Sequence, residues 1–267
     1  MKEKDNPIII TDAYKFSHFN QYREGTTRIF SYLEARGGKW KKTVPFGNWY
    51  YVYTYINMVV TRKDVDEAEF YANLMGIPFN RAGWLYIVDN LGGRLPLHIR
   101  AVPEGTVIPT GNILMTIENT DPNCFWLTGW VESTQMKVWY TSNIATKSYY
   151  VKQLLRPFWE SSVDDDQIGG INFAYHNFGD RGSPCVESAK IGGVAHLTQF
   201  MGTYNVNSVV CLHKVYGSLE RGRSIPATEH STMTSGGREL EYTIMENHLE
   251  TYKGQTKNYP LIACVMD

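Results

Sequence analysis

Two stretches carry residue types and spacings that could do chemistry. The first is His176-Asn177-Phe178-Gly179-Asp180-Arg181-Gly182. It places a histidine, an aromatic ring and an arginine between glycines, which let a backbone turn and approach a ligand closely. A strand over Ile171 to Tyr175 is expected before it and a helix over Ser183 to Phe200 after it. An arginine beside a helix N-terminus makes an anion site. The plain alternative is an ordinary strand-to-helix turn with a surface arginine. The second stretch is Pro226-Ala227-Thr228-Glu229-His230-Ser231-Thr232-Met233-Thr234. A histidine beside a carboxylate and among hydroxyls could act as acid, base or nucleophile. Its plain alternative is a hydrogen-bonded histidine at a helix cap, a place that Ser and Thr favour.

Common templates are absent. The chain has no G-x-x-x-x-G-K-[ST], no G-x-G-x-x-G, no G-x-S-x-G and no H-E-x-x-H. Its four cysteines, Cys124, Cys185, Cys211 and Cys264, are far apart and form no C-x-x-C pair. That fits reduced thiols in a cytoplasmic protein, with no disulfide framework and no metal ligand set. The acidic run Asp164 to Asp166 reads as a solvated loop.

Composition bounds the partners. Twenty-six basic and 27 acidic residues leave a net charge of −1, without the basic excess of a general nucleic-acid binder. No run of 18 apolar residues suggests a membrane span, and the three isoleucines of MKEKDNPIII are too few for a signal-peptide core. With 43% hydrophobic residues and 13% aromatics over 267 positions, a sizeable core is expected.

The elements that must hold the two stretches follow from pattern. Arg28 to Glu34 reads as a strand, Asn48 to Val60, Lys63 to Met75 and Arg81 to Asn90 as helices, with a break at Gly92-Gly93. Leu97 to Val102 and Leu114 to Glu118 read as strands joined through two proline–glycine turns. Helices are expected from about Phe125 to Trp139 and from Thr141 to Arg156, then a loop over Ser161 to Gly170. Beyond it come the strand and helix already named, the latter with Val186, Ala189, Val194, Leu197 and Phe200 near one face. A helix over Asn207 to Tyr216, an amphipathic segment Arg238 to Leu249 and a short strand Leu261 to Val265 complete the pattern. The expected fold class is α/β: an N-terminal α+β domain with mixed sheet over 1–165, then an incomplete β/α (TIM-like) barrel over 166–267. A chain stopping at Asp267, on the C-terminal end of a strand, suggests a fragment, because ligands bind at that end and the strand would lack its covering helix.

Taken in order, several segments resemble the nicotinamide phosphoribosyltransferase family. They are TDAYKFSHFNQY (Thr11 to Tyr22), FSYLEAR (Phe30 to Arg36), the long block from Ala101 to Ser133, HNFGDRG, and SIPATEHST (Ser224 to Thr232). The resemblance implies an enzyme that joins nicotinamide to phosphoribosyl pyrophosphate (PRPP). The products are nicotinamide mononucleotide and pyrophosphate, with Mg2+ assisting and ATP coupled through a phosphohistidine. It implies a homodimer. Position by position, His230 matches the phosphorylated histidine and Glu229 its neighbour. Phe178 matches the ring stacked on the pyridine, and Tyr14 the ring covering the other face from the second subunit. Arg181 matches the arginine contacting phosphate and base, and Arg36 a phosphate-binding arginine given across the dimer. His176 matches a pocket histidine, Ser224 and Ile225 the lining of the base tunnel, and Asp267 an aspartate near the ribose and pyrophosphate.

Two departures stand out. The family's nicotinamide enzymes have G-T-D where this chain has Gly202-Thr203-Tyr204, followed by Asn205. An aspartate there would accept the carboxamide NH2 and repel nicotinate. Tyr204 supplies no such charge, so either Asn205 or a group from elsewhere replaces it, or the base is nicotinate. The family also continues well past the position of Asp267, into R-P-D-S-G and G-D-G motifs and a glycine-rich phosphate loop. A C-terminal polypeptide completing the barrel is therefore expected, through a split gene, an intein junction or simple truncation. A non-catalytic interaction protein is the different-class alternative.

Overall fold

The structure, a computed structural model, describes residues 5–253 and 261–265. Its architecture is mixed α/β, dominated by helix. Strand β1 (Phe30–Glu34), central β5 (Ile113–Asn119) and β3 (Leu97–Ala101) form an antiparallel sheet in the order β1-β5-β3. Phe30 faces Glu118, Leu97 faces Asn119, and a bulge falls at Leu33/Glu34. A two-residue pair, β2 (Lys42–Thr43) with β4 (Ile108–Pro109), lies apart from it. One sheet face buries Met115 and Ile117 against Ile56 and Val131, the alternation of a half-covered sheet.

The N-terminal helices form where local signals agree with burial. Helix α1 (Asn48–Tyr51) runs on as a π-turn, Val52–Ile56. Helix α2 (Arg62–Met75) opens on a Thr61/Asp64 capping box and stops at Gly76, whose φ is 70°. Helix α3 (Arg81–Asn90) is capped by Asn80, whose side chain accepts the Gly83 N–H at 3.0 Å. Trp84, Trp126 and Trp130 pack edge to face at the centre of this region.

The helix expected over Phe125 to Trp139 is broken into α4 (Leu127–Trp130) and α5 (Glu132–Gln135), with a 3-10 turn before them. The N-terminal segment competes for its polar groups. The Thr11 hydroxyl donates to the Trp130 carbonyl at 2.8 Å, the Trp130 indole to the Ile8 carbonyl at 3.0 Å, and the Thr134 hydroxyl to the Ile10 carbonyl at 3.1 Å. Helix α6 (Val138–Ser162) is longer than expected and passes through Pro157. Its last turn carries Trp159, whose ring packs on Gly170 of the following segment.

The loop expected over Ser161 to Gly170 and the strand expected over Ile171 to Tyr175 are both corrected. Asp165–Phe173 is a 3-10 helix. Asn172 explains why no strand forms: its side-chain amide donates to the Gly169 carbonyl at 3.0 Å while its oxygen accepts Lys152 Nζ at 2.6 Å. Such local bonds compete with strand pairing.

Helices α7 (Val186–His196), α8 (Val206–Tyr216), α9 (His230–Thr234) and α10 (Glu241–Tyr252) follow. Val186, expected on the apolar face, is 70% exposed at the first position of α7, while Ala189, Val194, Leu197 and Phe200 are buried. Gly192 and Gly193 let α6 and α8 close on α7, since a Cβ at Gly193 would overlap the Ser208 hydroxyl. This core joins Val44, Phe46 and Tyr50 to Ile191, Val194 and Leu212, so it takes residues from both sides of position 165.

Between these helices the backbone makes three parallel single-residue bridges: Asn177 with Thr203, Gly202 with Arg223, and Ala227 with Ala263. Their succession is that of parallel β/α units. Each is one bridge wide, so the strand expected over Leu261 to Val265 is reduced to Ala263, and the described residues close no barrel.

Candidate active site

The first stretch is built as an Asx turn rather than a positive-φ loop. Asn177 Oδ1 accepts the Gly179 N–H at 2.7 Å, and neither Gly179 nor Gly182 has positive φ. Phe178 is left 67% exposed. Its ring stacks on Tyr204, with centroids 4.2 Å apart and planes at 23°. His176 lies against the other part of Tyr204 at 5.3 Å. It fits because residue 202 is glycine: a Cβ there would overlap the imidazole. Burial holds the His176 pKa below its ordinary value, and its Nδ1 is buried without a partner among the described residues.

The helix expected to complete an anion site with Arg181 is a different one. Gly182, Ser183, Pro184 and Cys185 separate Arg181 from α7. Instead Arg181 shares a cleft of about 760 Å³ with the first residues of α8, Val206 and Asn207. Phe178, Tyr204, Glu229 and His230 line the same cleft. Backbone N–H groups at a helix N-terminus carry partial positive charge, so α8 and Arg181 act in the same direction.

The second stretch puts His230 at the first turn of α9, exposed to the cleft. The capping residue is Glu229, not a hydroxyl residue. Its carboxylate accepts the Ser231 hydroxyl and its backbone carbonyl the Thr232 N–H at 3.1 Å, while the Thr232 hydroxyl accepts the Glu229 N–H at 3.1 Å. Glu229 thereby fixes where His230 stands. Asn205, weighed above as a substitute for the missing aspartate, is only 3% exposed. Its Nδ2 donates to the Ala189 carbonyl at 2.9 Å and its Oδ1 accepts the Ser208 N–H at 3.2 Å, so it works as the cap of α8.

The remaining candidates lie elsewhere. Ser224 and Ile225 line a cavity of about 610 Å³ with Trp159 and Phe173, and His176 borders it. Arg36 is exposed in a third cleft, about 710 Å³, beside Lys39, Trp40 and Lys42. Tyr14 is 58% exposed on a 3-10 helix, its ring edge-on to His18 at 4.9 Å. Neither Tyr14 nor Arg36 reaches the cleft of Phe178 and Arg181 within this chain. Asp267 lies outside the described residues.

One residue that supports the site had no mark in the sequence. His196 is 2% exposed. Its Nε2 lies 3.1 Å from the Tyr175 carbonyl, which can only accept, so Nε2 carries the proton and Nδ1 accepts the Ser148 hydroxyl at 3.1 Å. Burial pushes its pKa down to about 4. His196 thus anchors the backbone next to His176 from residues 21 and 48 positions away.

Residues 6–99 match the family model "Nicotinamide phosphoribosyltransferase, N-terminal domain", and residues 173–258 match that of the "Nicotinate phosphoribosyltransferase (NAPRTase) family". The nicotinamide phosphoribosyltransferase of Xanthomonas campestris is 45% identical over 248 residues, 93% of this chain. The chain belongs to the nicotinamide/nicotinate phosphoribosyltransferase family. The enzyme of the same name from Acinetobacter baylyi is 28% identical over 95% of the chain. The chain spans about half the length of these relatives, 53% and 52%. The crystal structure of human nicotinic acid phosphoribosyltransferase shares the fold, with a TM-score of 0.53 at 16% identity, covering 85% of this chain and 40% of that one. Among the described residues no helix is long and apolar enough to cross a membrane.

Proposed function

We propose that this chain supplies the base-binding part of a nicotinamide phosphoribosyltransferase of NAD salvage. Completed by a C-terminal polypeptide that closes a β/α barrel on residues 166–267, it would join nicotinamide to PRPP in the cytoplasm. The observation that carries this proposal is one cleft in which an aromatic ring pair, Arg181, the N-terminus of α8 and His230 meet. Phe178 offers a face on which a pyridine ring can lie. The pyridine nitrogen attacks C1 of the ribose as the bond from C1 to the pyrophosphate oxygen breaks. Positioning both partners accounts for much of the rate. Arg181 and the α8 N–H groups stabilise the negative charge that grows on the leaving pyrophosphate.

His230, which lines the same cleft, would accept a phosphoryl group from ATP. A ring nitrogen attacks the γ-phosphorus, an N–P bond forms and ADP leaves. Glu229, at the N-cap position of α9, would orient that ring. Among the described residues no three His, Cys, Asp or Glu gather where they could hold a metal ion. These residues do not make a Mg2+ site by themselves, and the steps above use none. Tyr14 and Arg36, exposed outside this cleft, would serve the site of the second subunit in a homodimer. The test is the subunit composition of the natively purified particle, with pyrophosphate release from PRPP and nicotinamide as the readout. A second polypeptide in equal amount and base-dependent release are expected. A particle of this chain alone that releases no pyrophosphate would refute the enzyme reading.

A further inference from the structure

Tyr204 is the residue through which the loop after α7 addresses the ring-lined cleft. Its neighbours Thr203 and Asn205 are 2% and 3% exposed, and the Asn205 amide is committed to α7 and α8. The Tyr204 backbone is held as well, its N–H donating to the Asn177 carbonyl at 3.1 Å. What remains free to meet a ligand is a flat ring, already stacked on Phe178, and a phenol hydroxyl.

Arg181 lines the cleft with Tyr204, and Lys147 lines the neighbouring cavity that Phe178 and His176 share. Two carboxylates line the Tyr204 cleft. Glu229 accepts from the Ser231 hydroxyl, and Asp180 directly precedes Arg181 in the chain. Rejecting an aromatic acid while keeping its neutral amide needs a fixed negative charge, or a buried acceptor without a donor, beside the substituent. A phenol is neither. It can accept from a carboxamide NH2 and can donate to a carboxylate or an amide carbonyl.

We propose that Tyr204 makes this site a dual acceptor, taking both the 3-carboxamide and the 3-carboxylate of pyridine. This rests on the base-binding role given to Phe178 above. The experiment is kcat/KM for nicotinamide and for nicotinate with PRPP, measured on the active assembly containing this chain, its Tyr204→Asp variant and its Tyr204→Phe variant. The parent should use the two bases within about tenfold of each other. Tyr204→Asp should lower nicotinate use by about thirtyfold or more relative to nicotinamide, through like-charge repulsion in a partly desolvated site. Retained nicotinamide turnover shows that this variant folds. Tyr204→Phe, which keeps the ring, should use nicotinamide less well and so expose the part played by the hydroxyl. A parent that rejects nicotinate by more than about a hundredfold overturns the proposal, as does a Tyr204→Asp variant with an unchanged base ratio. An assembly that consumes neither base overturns the base-binding proposal itself, which is a different result.

Discussion

His196 should make the stability of this chain depend on pH in a way that one substitution removes. The ring is 2% exposed and its pKa falls from 6.5 to about 4, chiefly through burial. Between those values the unfolded chain binds a proton that the folded chain refuses, so stability rises with pH across this window and is complete above it. At about pH 5 the unfolded histidine is roughly one and a half units into protonation while the folded ring is still neutral. At about 1.4 kcal/mol per unit this costs about 2 kcal/mol, rising to about 3 kcal/mol once the pH is below both values. His176 shifts in the same direction, so the comparison must isolate one ring. His196→Gln does so, because an amide can still donate to the Tyr175 carbonyl but does not titrate. Urea unfolding at about pH 7.5 and pH 5 should show the parent losing about 2 kcal/mol more than the variant. Equal losses in the two proteins would refute the neutral, carbonyl-bound imidazole. The loop that carries Phe178 and Arg181 begins next to Tyr175, so amide exchange across 176–181 should speed up in the parent over the same window.

Three other outcomes are expected. Gly193→Ala should destabilise the chain by about 2 kcal/mol in urea unfolding, because its Cβ would overlap Ser208 between α7 and α8; an unchanged midpoint would contradict that packing. Phe178→Ala should raise the KM for nicotinamide in the active assembly by about tenfold, the equivalent of about 1.4 kcal/mol of lost ring contact, with little change in the KM for PRPP. His230→Ala should reduce ATP-coupled turnover and leave the uncoupled reaction in place; an ATP dependence identical to the parent's would remove the phosphohistidine role.

Much of what positions the site was legible before any coordinates. Helix α3 spans Arg81–Asn90 as its pattern indicates, α8 starts one residue before the expected Asn207, and β3 and β5 lie where alternation puts them. Gly92 and Gly93 interrupt the chain at φ values of 61° and 74°. In each case the deciding terms are local: a cap, a turn, or a face whose period matches one element. The two chemically suggestive stretches were likewise visible, because their residue types are unusual side by side.

The sequence by itself thus determined the family, the limits of α2, α3 and α8 and the groups available for chemistry. Only the tertiary structure decided how those groups meet. It set α8 rather than α7 behind Arg181, turned Tyr204 onto Phe178, and withdrew Asn205 into a helix cap. It broke the expected helix at Trp130 through bonds from residues more than a hundred positions away, and it replaced a strand at Ile171 with a 3-10 turn. Local preferences differ by only about 1 kcal/mol per residue, so a buried hydrogen bond or a ring contact between distant segments outweighs them. Such contacts leave no periodic trace in a sequence, because their partners are brought together only when the core closes.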